Sequence, residues 1–219
     1  MPELASRATL EQRLARDLGK LNRELADEFT AALGDPPSLD NVPPDKWDEM
    51  RTRVQGVLLG ALTAMYIAAA EAQMEESGFT VDTVEVNEAA AIWARTYAAS
   101  LATRFIDNTR KMTQTGIDDL LHNGLSQRDF DARIDAAFGP VRTTQIAGTE
   151  TTSAISQGGL LIGAAMLARG LALKPFWETE EDDRVCPICA PLNDTEITNG
   201  SYPPAHINCR CRVTWRVPE

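Results

Sequence analysis

Residues 10–33 read LEQRLARDLGKLNRELADEFTAAL, and this stretch sets the fold class. Leu14, Leu18, Leu21 and Leu25 recur at spacings of four, three and four, and Phe29 continues the line. That is the period of one buried face of an α-helix. Glu3/Arg7, Arg13/Asp17 and Arg23/Asp27 place opposite charges one turn apart on the other faces, where such pairs support a helix. The pattern predicts one long helix over 3–33. Gly34-Asp35-Pro36-Pro37 stops it, and the loop to Pro44 is a candidate linker.

The same reading continues downstream. A second helix fits 45–77, with Val54, Leu58, Leu62 and Met65 as its apolar stripe. Gly56, Gly60 and Ala64 form a face of small residues, which predicts close approach by another helix. A third helix fits 87–115, with Asn87 as N-cap and a ridge of Trp93, Tyr97, Leu101 and Phe105 expected in the core. A shorter helix follows to His122, before Asn123-Gly124. His122 at that end is expected to cap the last carbonyls. Ser126 with Asp129 resembles a capping box, opening a helix whose buried face is Phe130, Ile134 and Phe138 and which ends at Gly139-Pro140. The last helix fits 141–168, closing at Gly170. Gly158-Gly159 inside it reads as a close-packing site or a local kink.

Composition agrees with a helical, globular chain. Of 219 residues, 43% are hydrophobic and 24% charged, a balance that permits a packed core. The net charge of −11 argues against nucleic acid as the main partner, because phosphate binding normally needs a basic surface. The first 34 residues carry eleven charges, so no signal segment is expected. The most apolar run, Val57–Ala70, is shorter than the roughly 20 residues that span a bilayer, so no membrane association is expected.

The character changes near residue 171. Residues 171–219 hold six prolines and all four cysteines and show no helical period. At the end, Cys211, Val213, Trp215 and Val217 alternate with Arg210, Arg212, Thr214 and Arg216, the pattern of a half-buried strand. The chain thus divides into an N-terminal helical region at 1–104, a second helical part at 105–170 and a Cys/His-rich module at 171–219. The fold class is mainly α, an elongated helical bundle body with a small C-terminal α+β module.

Cys186-Pro-Ile-Cys189 is followed after sixteen residues by His206-Ile-Asn-Cys209-Arg-Cys211. A pair of ligands two residues apart wraps a metal in a tight knuckle, and a second pair from a distant turn completes a tetrahedron. A short Pro-rich segment also needs such a staple to hold its shape. The metal-ligand candidates are Cys186, Cys189, His206, Cys209 and Cys211, with structural zinc the expected ion. Cys186, Cys189 and Cys209 are the firmest, and His206 and Cys211 compete for the fourth place. Plain reduced core cysteines, a Cys-Pro-Ile-Cys redox pair and disulfides formed in an oxidising compartment are the rival readings. Pro191 opposes the helix a redox pair needs.

Trp177-Glu-Thr179, Asp183-Arg-Val-Cys-Pro-Ile-Cys189 and Pro203-Pro-Ala-His-Ile-Asn-Cys-Arg-Cys211 together resemble the C-terminal signature of the phage head morphogenesis (Mu F-like) minor head proteins. Arg142 and Ile146-Ala-Gly-Thr-Glu-Thr151 are similar to that family's helix motif. The resemblance covers about residues 105–217, with both motifs in order. Gly148 departs from a usual basic residue, which removes a contact made by the helix, and Ile207 departs from a common Pro. Residues 1–100 match no motif of the family. The resemblance implies a structural virion component in few copies, bound to the portal protein or major capsid protein at the portal vertex or inside the capsid. It would act in head assembly and DNA ejection and pass through the bacterial cytoplasm during assembly. Self-association through the N-terminal helices is a further expectation.

Enzymatic readings find little. Only His122 and His206 are present, and no metalloprotease, hydrolase or phosphate-loop motif occurs. Glu178-Thr-Glu180 could resemble an acidic pair for ADP-ribosyl transfer, but five acids in six residues from Glu178 to Asp183 predict a solvated loop. The stronger rival is a zinc-dependent nuclease, for which Asn208 is available and a general base is missing unless His206 is spared from the metal. No enzymatic activity is expected. Arg142 and Glu150 share a helix face about 12 Å apart, too far to pair. Glu150 is therefore expected to anchor the module through Arg184 or Arg210.

Overall fold

The computed structural model describes residues 7–180 and 185–217. It contains helices α1 (Arg7–Leu33), α2 (Pro44–Ser77), α3 (Thr83–His122), α4 (Gln127–Phe138) and α5 (Pro140–Ala168). Three short strands follow: β1 (Lys174–Glu178), β2 (Thr195–Glu196) and β3 (Arg212–Arg216). The chain is mainly α with a small C-terminal strand region, as its sequence indicates.

The described residues form two compact units that interleave along the chain. One is built from 7–12, 60–94 and 145–217; the other from 13–59 and 95–144. Helices α1, α2, α3 and α5 therefore each contribute to both units. Position 104/105, used above to divide the chain, lies within the unbroken α3. Position 170/171 falls at Gly170, whose φ of +87° turns the chain after α5.

In the second unit, Leu14, Leu18, Leu21, Leu25 and Phe29 of α1 are buried, as their spacing predicts. Phe29 meets Trp47 edge-on at 5.2 Å and Phe138 at 5.7 Å between ring centroids. The α1 end is closed by Gly34 at φ +74° and by Asn41, whose Nδ2 donates to the Leu33 carbonyl at 2.7 Å. Ser126 caps α4, its hydroxyl accepting from the Asp129 amide at 3.2 Å, and Phe130, Ile134 and Phe138 face inward.

Arg142 is the polar hub of this unit. It donates to Thr109 Oγ1 at 2.9 Å, to the Phe105 carbonyl at 3.0 Å and to the Ala137 carbonyl near the end of α4. Its guanidinium also lies 4.0 Å from the Phe105 ring centroid. Burial brings its pKa down to about 10. Arg142 thus ties α3, α4 and α5 together, while Glu150 belongs to the other unit.

Several sequence expectations are corrected. The helix predicted to begin at Asn87 begins at Thr83, because Asp82 Oδ1 accepts from the Val84 amide at 2.7 Å and caps it there. The two helices predicted over 87–122 are one. Of the ridge predicted for α3, Leu101 and Phe105 are buried and Trp93 and Tyr97 half-buried, while Ala90, Ala94, Ala98 and Ala102 form a fully buried line beside it. Gly56, Gly60 and Ala64 are exposed, and a Cβ at either glycine would meet nothing within 4 Å. The close approach is made instead by Gly158 of α5, where a Cβ would overlap the Tyr66 carbonyl of α2. Gly158 is therefore a packing site.

By length and composition α2 and the stretch 127–168 are apolar enough to cross a membrane. In α2 the large apolar residues Met50, Val54, Leu58, Leu62 and Met65 are all buried in the protein.

In the first unit β1 pairs antiparallel with both neighbours, in the order β2-β1-β3. Trp177 stands opposite Val213 and both are buried. The alternation predicted for β3 holds at Cys211 and Val213. Thr214 is also buried, and Val217, just beyond the strand, is 72% exposed.

Candidate metal centre

Residues 171–217 have too few large apolar side chains to close a core alone. Trp177, Ile197 and Val213 pack around Cys189, Cys209 and Cys211, and this small cluster rests on Leu160 of α5. Two turns deliver the chemistry. In the first, the amides of Cys189 and Ala190 return to the Cys186 carbonyl, and the Cys189 amide also faces Cys186 Sγ at 3.4 Å. In the second, the Cys209 amide returns to the His206 carbonyl across Asn208, which adopts φ +61°. Asparagine tolerates that left-handed conformation better than most side chains.

The turns bring all five predicted ligands together. Cys186, Cys189 and His206 form one triad of donor atoms within 4.8 Å of one another; Cys189, Cys209 and Cys211 form a second. Cys189 belongs to both. His206 Nε2 lies 2.9 Å from Cys186 Sγ and 3.1 Å from Cys189 Sγ. Cys189 Sγ lies 3.8 Å from Cys209 Sγ, which is the edge of a tetrahedron with metal–sulfur bonds of about 2.3 Å. A cavity of about 20 Å³ opens among Cys186, Cys189, His206 and Cys211, also lined by Glu180 and Asn208. That is room for one water-sized occupant. The Cys/His cluster can therefore hold a metal ion.

Two details fit ligation. His206 Nδ1 lies 2.7 Å from the Ile207 carbonyl. A proton on Nδ1 donated there leaves the Nε2 lone pair facing the sulfurs, the arrangement of a metal-bound imidazole. The indole N–H of Trp177 is buried and, among the described residues, has no oxygen or nitrogen acceptor, and it acts on Cys211 to favour its thiolate. A metal-bound thiolate would satisfy it.

Proton affinities within the cluster are spread widely. Burial raises Cys189 to about 12. The Cys211 side chain holds Cys209 at about 5 by hydrogen bonding, against desolvation. Cys211 is raised, first by that bond to Cys209 and then by burial. At Cys186 desolvation acts upward, but the backbone amides of Cys189 and Ile188 outweigh it, and its pKa falls. The Ile207 carbonyl raises His206. The metal-free cluster therefore mixes thiolate and thiol, with neighbouring sulfurs sharing protons.

The module is held to α5 by groups that the sequence did not single out. Thr149 Oγ1 accepts from the Asn208 amide at 2.9 Å, and the Thr152 hydroxyl donates to the Cys209 carbonyl. Arg7, read above only as the charge partner of Glu3, is 6% exposed. It donates to the Arg210 carbonyl at 2.9 Å and to Thr152 Oγ1 at 2.6 Å, and lies 3.6 Å from Glu180. Further along α5, Trp215 Nε1 donates to the Gly159 carbonyl at 3.1 Å. A Cβ at Gly148 would sit 3.1 Å from Asn208 Oδ1, so the missing side chain there admits the knuckle. Two threonines one turn apart on the face that carries Gly159 were the visible signal for this docking. Arg7 offered none, since its partners lie 145 and 203 residues away.

Glu150 is buried, 6% exposed. Of its two predicted partners, Arg184 lies outside the described residues. Glu178 is not in a solvated loop: it ends β1 and pairs with Arg212 at 2.6 Å. Residues 181–183 of the acidic run lie outside the described residues. His122 ends α3, is exposed, and belongs to the second unit.

Comparison with protein-family models, with curated proteins and with solved structures gave no match to this chain.

Proposed function

We propose that this protein is a structural minor head protein of a tailed phage or prophage, bound to the portal or inner capsid, and that its C-terminal module is stapled by zinc. One observation carries this reading. Two of the segments on which the family resemblance rests, 146–151 and 203–211, come together through the hydrogen bond from the Asn208 amide to Thr149. A signature split across more than fifty residues then has a physical purpose: one half is the metal knuckle, and the other is the helix face that seats it. Zinc is the ion this donor set suits, because it takes sulfur and imidazole nitrogen in a closed tetrahedron without redox chemistry. The nuclease alternative needs His206 as a free base. Its Nε2 instead faces two sulfurs, which favours a ligand over a base.

The deciding experiment is quantitative mass spectrometry on density-purified particles of the source phage or induced prophage. A reproducible copy number at or below that of the portal supports the proposal. Complete absence from particles that contain portal overturns it, and metal-dependent DNA cleavage lost in His206→Ala would establish the nuclease instead.

A further inference from the structure

Within the first unit, the backbone around the second knuckle is gripped at three consecutive residues. The Asn208 amide is bound by Thr149, the Cys209 carbonyl by Thr152 and the Arg210 carbonyl by Arg7. Arg7 and Thr152 are also bonded to each other. These residues interleave with His206, Cys209 and Cys211, so any ion that fixes those side chains fixes the direction of the gripped groups. Arg7 is the first described residue of α1. It is buried, and its two Nη atoms make its hydrogen bonds among the described residues. Three thiolates, one imidazole and one divalent cation carry a surplus negative charge, and Arg7 is a buried cation one residue contact away from Cys209 through Thr152.

We infer that Arg7 and Thr152 are positioning residues of the metal centre, so that metal binding and the seating of the first turn of α1 are one equilibrium. The inference rests on the metal reading above. Metal uptake sets the carbonyls of Cys209 and Arg210 where Thr152 and Arg7 can reach them, and Arg7 then holds α1 down. By linkage the effect is reciprocal: whatever loosens Arg7 weakens the metal, and removing the metal frees the first turn of α1.

The test uses the full chain, reduced, with Zn²⁺ as the probe and a chromophoric chelator as competitor. Arg7→Met keeps the aliphatic stem and removes the donors, and Thr152→Val keeps the shape and removes the hydroxyl. Each should weaken zinc by about tenfold or more, the usual effect of losing an outer-shell partner. Arg7→Lys should fall between, because an ammonium cannot serve two acceptors with the guanidinium's fixed fork. Arg16→Met, at an exposed side chain paired with Asp17, should bind like the parent. Hydrogen exchange provides the second readout: residues 7–12 should exchange more slowly in the zinc-loaded chain than in the metal-free one. Parent-like affinity in both Arg7→Met and Thr152→Val, or equal exchange at 7–12 with and without zinc, overturns the inference. Failure of the parent itself to take up zinc overturns the metal reading together with it.

Discussion

Trp215 occupies the space that a side chain at position 163 would need. A Cβ at Gly163 would overlap the indole carbons Cε2 and Cζ2, and the same indole donates to the Gly159 carbonyl one turn away at 3.1 Å. A flat, glycine-bearing face of α5 thus receives the last strand of the module. Gly163→Ala should therefore destabilise the protein by about 1–3 kcal/mol, the usual cost of overfilling a packed site. Gly60→Ala is the matched control. It sits exposed within α2 with nothing within 4 Å of the added methyl, and should stabilise by about 0.5–1 kcal/mol through helix propensity. Thermal or urea unfolding of the two variants reads both signs.

Cys189 is the only donor shared by both triads. Cys189→Ser should abolish stoichiometric zinc binding, whereas Cys211→Ser should leave a weaker site if the imidazole serves as fourth ligand. Cobalt substitution distinguishes them by the intensity of the tetrahedral visible bands and of the sulfur charge-transfer band. Zinc at about a hundred times its dissociation constant adds about 2.7 kcal/mol. A chelator should therefore lower the melting temperature by roughly 5–10 °C in a chain of this size.

Arg142 serves three acceptors on α3 and α4 from a largely buried position. Arg142→Met fills similar volume yet takes a donor from the Ala137 carbonyl and from Thr109 Oγ1, while the Phe105 carbonyl keeps the Thr109 hydroxyl. The expected loss is about 1–3 kcal/mol in unfolding free energy, the cost of leaving a buried polar group unsatisfied. Arg142→Lys should restore only part of it.

The pH dependence of zinc binding follows from the ligand protons. His206, raised by the Ile207 carbonyl, must give up its proton to ligate. Zinc is therefore lost as pH falls through that raised value, at higher pH than an ordinary histidine would allow. Among the sulfurs, Cys209 is held low by its bond from Cys211 while burial raises Cys189, so ligation takes protons from the coupled thiols as a group. Calorimetry in buffers of different ionisation enthalpy should show net proton release at pH 7, with affinity rising between about pH 5 and 8. Affinity independent of pH would exclude His206 from the ligand set.

The helical elements were legible because their signals are local. The Leu14–Phe29 line, the Ser126 capping box and the Gly139-Pro140 break are decided by residues within one or two turns of one another, and all appear in the fold. So were the five metal-ligand candidates, since a knuckle depends on the short spacing between its cysteines. The misread features were those whose meaning depends on a distant surface. Small residues at 56, 60 and 64 carry the same signal whether a helix or solvent faces them, and only packing placed the close contact at Gly158. In α3 the predicted ridge is buried only in its second half, at Leu101 and Phe105, while the fully buried line runs through Ala90, Ala94, Ala98 and Ala102.

Sequence alone, then, determined most of the helices, the stop at Gly34, the cap at Ser126 and the break at Gly139-Pro140, and the presence of a Cys/His cluster, since periodicity and spacing act over a few residues of chain. Tertiary structure decided that the units interleave along the chain, that Gly159 and Gly163 make room for Trp215, and that Arg7 grips the second Cys/His turn. Arg7 reaches the Arg210 carbonyl across 203 positions of sequence. No local pattern records such a contact, because a buried guanidinium takes its acceptors from whatever backbone the packing brings to it.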